Sequence, residues 1–364
     1  MRHRFHAICP YFAMFPESFV EKWVSLLTEP GESVLDPFCG RGSTPFQALL
    51  MDRAAVASDI NPVAYCITRA KTNAPCAAAV RARLSVLESS YQPRAWSSAA
   101  SALPEFFHAC YASETLKQIV HMRTALNWSA NPTDCMLGAL SLGILHGESN
   151  KSPSYLSNQM PRTISTKPAY SVRWWRRHGF VAPDRDCFEL LRRAITFRYA
   201  SDPPKGTATV LNQDIRKLPY EAKQLRKRIR LAVTSPPYFN VTNFEEDQWL
   251  RLWFLGGPPY PTRKLISRDD RYEDAPAYWA FLCDMWRVLG FLMGAKSNVV
   301  IRLGARRLTP EKMVSRLRGT SRFASRKVKL VAWEHSPLKR RQTQAFRPGA
   351  RGCTYEVDCH FAVA

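Results

Sequence analysis

An apolar run, Leu231-Ala232-Val233, leads straight into Thr234-Ser235-Pro236-Pro237-Tyr238. The run reads as a short buried strand. Two prolines cannot continue it, because neither has an N–H to give to a sheet ladder. The strand therefore stops in a stiff turn that carries a hydroxyl and an aromatic ring. Open α/β sheets bind ligands at the carboxyl ends of their strands, which makes the turn a candidate site. Taken alone, it describes a proline-rich loop or a docking peptide for a proline-reading domain just as well.

The alternation that would make such a sheet is present on both sides of a long interruption. Val34-Leu35 leads into Asp36-Pro37-Phe38-Cys39-Gly40-Arg41-Gly42-Ser43-Thr44, followed by a helical stretch from Pro45 to Met51. Ala54 to Ala57 then reads as a second strand that ends in Ser58-Asp59-Ile60-Asn61-Pro62. Strand, glycine-containing loop, helix, strand and acid is the opening unit of a nucleotide-binding α/β sheet. The glycines let backbone approach a ligand, the helix start offers unpaired N–H groups, and the acid can accept both hydroxyls of a ribose. After Pro204 the pattern resumes with a strand from Thr207 to Leu211 ending at Asn212-Gln213-Asp214. A helix from Tyr278 to Met293 and strands at Asn298–Leu303, Val328–Trp333 and Tyr355–Val363 follow the proline turn. The last two, separated by basic Lys339-Arg340-Arg341, suggest an antiparallel hairpin at one sheet edge.

Between Pro75 and Pro204 the alternation breaks. Helical patterns at Ala77–Leu87, Ser113–Ala125, Cys135–His146 and Cys187–Tyr199 predict a mainly helical insertion. Its middle, Lys151 to Arg177, reads as a basic loop and contains Asn158-Gln159-Met160-Pro161-Arg162-Thr163. Arg173, Trp174, Arg176 and Arg177 there combine phosphate contacts with a stacking surface; a solvated basic loop packed by core tryptophans is the plainer reading. The chain thus divides into 1–75, an N-terminal cofactor-binding half; 76–204, an insertion read as the DNA-recognition region; and 205–364, a catalytic half.

Charge favours a polyanionic partner. The chain has 52 Lys and Arg against 30 Asp and Glu, a net charge of +22, and each phosphate neutralised releases counterions. The longest apolar stretch, Tyr278 to Ala295, is interrupted by Asp284 and Arg287 and reads as a core helix, so no membrane association is expected. No apolar segment follows Arg2 and Arg4, so no secretory signal is expected. The ten cysteines form no CxxC pair. A strand through Cys359 and His360 would point them to opposite faces, so reduced thiols in a cytoplasm, without a metal, are expected.

Together DPFCGRGST, SDINP, LNQD and TSPPY resemble the S-adenosylmethionine-dependent DNA amino-methyltransferases, and most closely the cytosine-N4 members with their SPPY tetrapeptide. The resemblance covers roughly residues 1 to 75 and 205 to 364. It implies a Rossmann-like class I methyltransferase sheet, mostly parallel with a C-terminal antiparallel hairpin, and S-adenosyl-L-methionine as cofactor. It also implies that Asp36, Phe38, Gly40 and Gly42 line the cofactor's methionine end. Asp59 would hold the ribose, Ile60 would lie against the adenine and Asp214 would meet the adenine amino group. Pro10-Tyr11-Phe12-Ala13-Met14-Phe15-Pro16-Glu17 is similar to the motif preceding DPFCGxG, which implies a cofactor contact for Phe15. Asp36 as a helix cap and Asp214 as an Asx-turn acid are the plainer readings.

The chemistry of the turn agrees with this. A cytosine amino group is a poor nucleophile because its lone pair is delocalised into the ring. Ser235 Oγ and the Pro236 carbonyl can accept both amino protons and free that pair, and Pro236 and Pro237 hold the acceptors in place beforehand. Tyr238 offers a ring to stack on a flipped-out base. Cytosine-C5 methylation needs a thiolate, and Pro75-Cys76 follows the second strand instead of the fourth. Adenine-N6 methylation remains as an alternative, as do an RNA methyltransferase and a non-catalytic DNA-binding protein on the same fold. The expected setting is a bacterial-type cytoplasm, nucleoid-associated, with double-stranded DNA as partner and cognate restriction or defence proteins alongside in a restriction-modification role.

Overall fold

Strand residues alternate between two helical layers, and that alternation builds the sheet. The structure, a computed structural model, describes residues 2–11, 15–147, 153–159, 167–239, 243–267, 274–305, 308–338 and 353–364. Seven strands, β1 (Ser33–Asp36), β2 (Ala54–Ser58), β3 (Ala208–Leu211), β4 (Ile229–Thr234), β5 (Met293–Ala305), β6 (Val328–Pro337) and β7 (Tyr355–Val363), form one sheet in the order β3-β2-β1-β4-β5-β7-β6. The first five pair in parallel. β7 runs antiparallel to β5, and β6 antiparallel to β7. This is a Rossmann-like sheet with the expected closing hairpin, whose connecting Lys339-Arg340-Arg341 lies outside the described residues. The chain reverses direction across the sheet between β1 and β4, and open sheets bind ligands at such a switch point.

On one face Val34, Leu231, Val233 and Val300 pack with α1 (Glu17–Leu27) and α2 (Ser43–Leu50). On the other, Leu35, Val56, Ala232, Val299 and Ile301 pack in one cluster with Tyr278, Phe281, Met285 and Trp286. Period-two alternation along each strand sends neighbours to opposite layers.

The helix after β2, α3 (Pro62–Thr72), begins with the Asn61 side chain accepting from Val63 N and Pro62 in its first turn. Beyond it come α4 (Ala77–Ser89), α5 (Pro93–Ser101), α6 (Glu105–Cys110), α7 (Ser113–Ala125), α8 (Pro132–Ile144), α9 (Pro168–Arg177) and α10 (Cys187–Arg198). They share one core with Cys66, Ile67 and Ala70 of α3, with Phe5 and Ile8, and with Trp249, Leu252 and Trp253. The insertion is therefore bound to the sheet domain by apolar burial on both its flanks.

One expectation is corrected. Residues 168–177, read as loop, form helix α9. Pro168 stands in its first turn, and Ser171, Val172 and Trp175 make an inward face at helical spacing. The arginines on the other face hid that pattern. Residues 151–152 and 160–166 of the expected loop lie outside the described residues. α11 (Leu218–Glu221), α12 (Phe244–Asp247), α13 (Trp249–Phe254), α14 (Ala275–Leu292) and α15 (Pro310–Ser321) complete the chain. No helix among the described residues is long and apolar enough to cross a membrane.

Candidate active site at the carboxyl edge of the sheet

β1 ends in Asp36 and β4 ends in Thr234, and the two are tied together. Thr234 Oγ1 donates to Asp36 Oδ1 at 2.6 Å, and the same oxygen accepts from Phe38 N at 3.1 Å. Asp36 is only 1% exposed; burial pushes its carboxyl up to about 7 even though these bonds favour the charged form. A further tie runs from Thr44 Oγ1 of α2 to the Val233 carbonyl at 3.1 Å. The glycine loop and the proline turn are thus joined at the ends of β1 and β4.

Within the loop, Gly42 sits at φ +70 and caps α2. A Cβ there would lie 2.5 Å from Thr68 Oγ1, so only glycine fits both the conformation and the space. Gly40 N donates to Asp59 Oδ2 at 2.9 Å, while Asp59 Oδ1 accepts from Asn61 N at 2.9 Å. Each carboxylate oxygen can accept one further bond. Burial raises the Asp59 carboxyl to about 6 against the pull of those N–H groups. Asn212 Nδ2 donates to the carbonyls of Asp59 at 2.8 Å and Ile60 at 3.2 Å, holding the end of β2 to the end of β3.

The remaining cofactor candidates divide. Phe38 and Ile60 are half-buried beside the loop and the acid, with Phe38 edge-on to Phe281 at 5.4 Å. Asp214 caps a short turn, accepting from Arg216 N at 2.9 Å, and also pairs with Arg216 Nε and Nη2 at 3.0 and 2.7 Å. The Asx-turn function expected of it is present. Phe15 is 6% exposed and packs on Phe19 at 5.1 Å inside the α1–α2 core. Phe12, Ala13 and Met14 lie outside the described residues.

Behind the loop is a cluster that spacing did not show. Lys71 is fully buried, has no hydrogen-bond partner among the described residues, and lies 5.3 Å from the Phe46 ring centroid. Burial and nearby Arg41 push its ammonium well below the usual lysine range. Arg41 bonds Glu17 Oε1 at 3.1 Å and Ser43 Oγ at 3.2 Å. His6 is driven down to about 2 by burial and by Lys71. These residues come from separate elements, and only the fold gathers them.

In the turn, Pro236 is buried while Ser235, Pro237 and Tyr238 are half-buried. Tyr238 Oη donates to Glu356 Oε1 at 2.9 Å. Its ring rests on Gly304, where a Cβ would meet Cε2 at 2.7 Å. Beyond the turn, a cavity of about 340 Å³ opens beside Pro62 and Asn212, walled by Trp128, Trp249 and Tyr260. Buried Glu245 holds the wall in shape by accepting from Leu265 N, Ile266 N and Ser267 N at 3.0, 2.9 and 3.1 Å.

The basic residues of α9 belong to the insertion. Arg173 and Arg177 are exposed, and Arg176 pairs with Glu105. Trp174 is half-buried and stacks on His178 at 4.1 Å and Phe180 at 5.5 Å. Trp175 is core, 1% exposed. Among the described residues no group of three His, Cys, Asp or Glu is placed to hold a metal ion.

Residues 3–69 match the N6/N4 methyltransferase family, described as DNA methylase. The match contains β1, the glycine loop, β2 and Asp59, and stops well before the proline turn. No curated protein matches the chain. Among solved structures, the chain is similar to TrmN from Thermus thermophilus at 9% identity and a TM-score of 0.38, covering 99% of this chain and 52% of that one. The rRNA methyltransferase aviRa from Streptomyces viridochromogenes aligns at 12% identity and a TM-score of 0.33, covering 96% of this chain and 86% of that one. The chain spans about half the length of TrmN. Family match and strand order together support a methyltransferase.

Proposed function

We propose that the chain moves the methyl group of S-adenosyl-L-methionine to the exocyclic N4 of a cytosine flipped out of double-stranded DNA. The observation that carries this reading is the Thr234–Asp36 hydrogen bond, 2.6 Å long. It joins a loop suited to the cofactor to a turn suited to an amino group, at the switch point of the sheet.

The residues present fit the cofactor. Gly42, packed against Thr68 and Lys71, lets the loop turn at φ +70 into α2, and the start of α2 offers N–H groups to an anion. Asp59 keeps acceptor capacity for a ribose, and Phe38 and Ile60 supply apolar walls. Orphaned Lys71 behind the loop has its charged form disfavoured by burial and by Arg41, and an arriving carboxylate would favour that form. When bound, the cofactor supplies an electrophilic methyl group. Ser235 Oγ and the Pro236 carbonyl accept the two protons of the target amine, and the prolines keep those acceptors aimed without reorganisation. Tyr238, backed by Gly304, stacks on the base. Serine ahead of the two prolines favours cytosine over adenine-N6.

Nucleoside mass spectrometry of DNA from cells expressing the chain should show N4-methylcytosine, and the signal should vanish with Ser235→Ala. N6-methyladenine in its place would overturn the base assignment; methyl groups confined to RNA would overturn the DNA assignment.

Asp59→Ala removes charge-assisted hydrogen bonds worth about 1.5–3 kcal/mol. Affinity for S-adenosylhomocysteine, measured by calorimetry, should fall roughly 10- to 100-fold, and an unchanged affinity would rule out the ribose role. For DNA, exposed Arg173 and Arg177, with Trp174 beside them, supply phosphate contacts and a stacking surface, while Arg176 is held by Glu105. Replacing Arg173 and Arg177 together by alanine should lower the salt slope of DNA binding by about 0.9 for each phosphate left without its arginine. An unchanged slope would move the DNA-binding surface away from α9. A cytoplasmic enzyme working on nucleoid DNA beside restriction or defence proteins suits the charge of +22.

A further inference from the structure

The cavity of about 340 Å³ beside Pro62 and Asn212 belongs neither to the glycine loop nor to the proline turn: Asp59, Ile60, Ser235 and Tyr238 do not line it. Its walls are nevertheless built with care. Trp128 is half-buried, and its Nε1 donates to the Leu255 carbonyl at 3.2 Å, which fixes the plane of the ring. Arg69 Nη2 donates to the Ala130 carbonyl at 3.2 Å and holds the turn that follows Trp128. The segment from Pro258 to Ile266 is shaped by buried Glu245. Besides the N–H groups of Leu265, Ile266 and Ser267, this carboxylate accepts from Thr262 Oγ1 at 2.5 Å. A buried carboxylate with four donors is a strong anchor, yet the segment it anchors turns Tyr260 and Leu265 to water, 59% and 62% exposed. Large side chains held rigid and exposed at the mouth of a cavity mark a binding surface.

The polar groups define what fits. A backbone carbonyl only accepts, so the bonds from Asn212 to the carbonyls of Asp59 and Ile60 turn its NH₂ toward the strands. Asn212 Oδ1, which has no partner among the described residues, is left to accept. Thr262 gives its proton to Glu245 and also keeps only lone pairs. The lining thus offers aromatic faces and acceptors, with no charged side chain. That set suits a flat, uncharged ring bearing an amino group. The chain's net charge of +22 attracts a strand that carries such rings. From this geometry we infer that the cavity holds an unstacked, amino-bearing nucleobase of the bound DNA, separate from the base at the proline turn. Trp128 and Tyr260 give it stacking faces, and Asn212 Oδ1 accepts from its amino group. The inference depends on DNA being the substrate.

The test is fluorescence anisotropy with fluorescein-labelled oligo-dC and oligo-dT, with calorimetry of S-adenosylhomocysteine in parallel. Single strands present their bases without the cost of flipping. The wild type should bind oligo-dC more tightly, because thymine puts a carbonyl where cytosine has its amine, and Asn212→Ala should erase that preference. Trp128→Ala should weaken oligo-dC binding about 5- to 150-fold, and Trp128→Phe, which keeps a stacking face, should recover most of the loss. Tyr260→Ala, at an exposed side chain that the fold does not need, should act in the same direction as Trp128→Ala. Affinity for S-adenosylhomocysteine should stay within about twofold of wild type in the Trp128→Phe and Tyr260→Ala variants. Equal affinity of the wild type for the two oligonucleotides would overturn the amino-base assignment. Variants at Trp128 and Tyr260 that bind oligo-dC like wild type would overturn the cavity as a base site. So would variants that lose S-adenosylhomocysteine and keep DNA, since the cavity would then hold the cofactor's adenine. A wild-type chain that binds S-adenosylhomocysteine and neither oligonucleotide would sink the DNA reading itself, and this assignment with it.

Discussion

Alanine at Ser235 or at Tyr238 is expected to abolish methyl transfer while leaving cofactor affinity near normal. The two losses have different causes. On the proposed mechanism, removing Ser235 Oγ deletes one of the acceptors that localise the amine lone pair, and removal of a preorganised polar group of this kind costs about 10²–10³ in rate. On the proposed mechanism, removing the Tyr238 ring deletes the surface that receives the flipped base, and it also takes one hydrogen-bond donor from Glu356, which keeps its Arg302 pairing. That combination is expected to cost at least as much. Neither side chain contributes to the Asp59–Gly40 bond or to the conformation of Gly42, so calorimetric binding of S-adenosylhomocysteine should stay within about threefold of wild type. A normal affinity also shows that the variant is folded. Labelled methyl transfer that survived both substitutions would remove the chemistry from the turn.

How much of this is legible in the sequence depends on whether it is local. β1, β2 and β4 are visible because short apolar runs end in residues that must end them: Asp36-Pro37, Asp59 before Asn61-Pro62, and the two prolines after Ser235. The parallel order and the switch point follow from the strand–loop–helix spacing. The partners of those residues are another matter. Nothing near Tyr238 in the chain points to Glu356; the two meet because β7 enters the sheet between β5 and β6 and runs antiparallel. A hairpin at the edge was foreseeable, but which of its strands would lie inside, and in what register, was not. Lys71 is hidden for a similar reason. It continues the apolar stripe of α3 after Ile67 and Ala70, where a lysine reads as a solvated tip, and its burial depends on Phe46 and on His6 arriving from elsewhere. Helix α9 was obscured by composition: Arg173, Arg176 and Arg177 dominate the stretch, and only Val172 and Trp175 mark the inward face.

The largest effect on stability is expected from Asp36→Asn, and it should be stabilising at neutral pH. Asp36 is raised to about 7 in the folded protein by burial, whereas an unfolded chain has an aspartate near 3.9. Between those values the folded state holds a proton that the unfolded state has released, so stability falls as pH rises. The penalty is absent below about pH 4 and complete above about pH 7; a shift of this size corresponds to about 4 kcal/mol. Asparagine keeps an oxygen at the Oδ1 position, where Thr234 Oγ1 and Phe38 N donate, and brings no charge to bury. In urea denaturation, Asp36→Asn should therefore match wild type near pH 4 and gain progressively up to about pH 8. A destabilised variant at every pH would mean that the turn depends on the charge of Asp36 for its geometry. The same substitution should weaken binding of the cationic cofactor relative to its neutral-sulfur product, because a carboxylate beneath the loop has been neutralised.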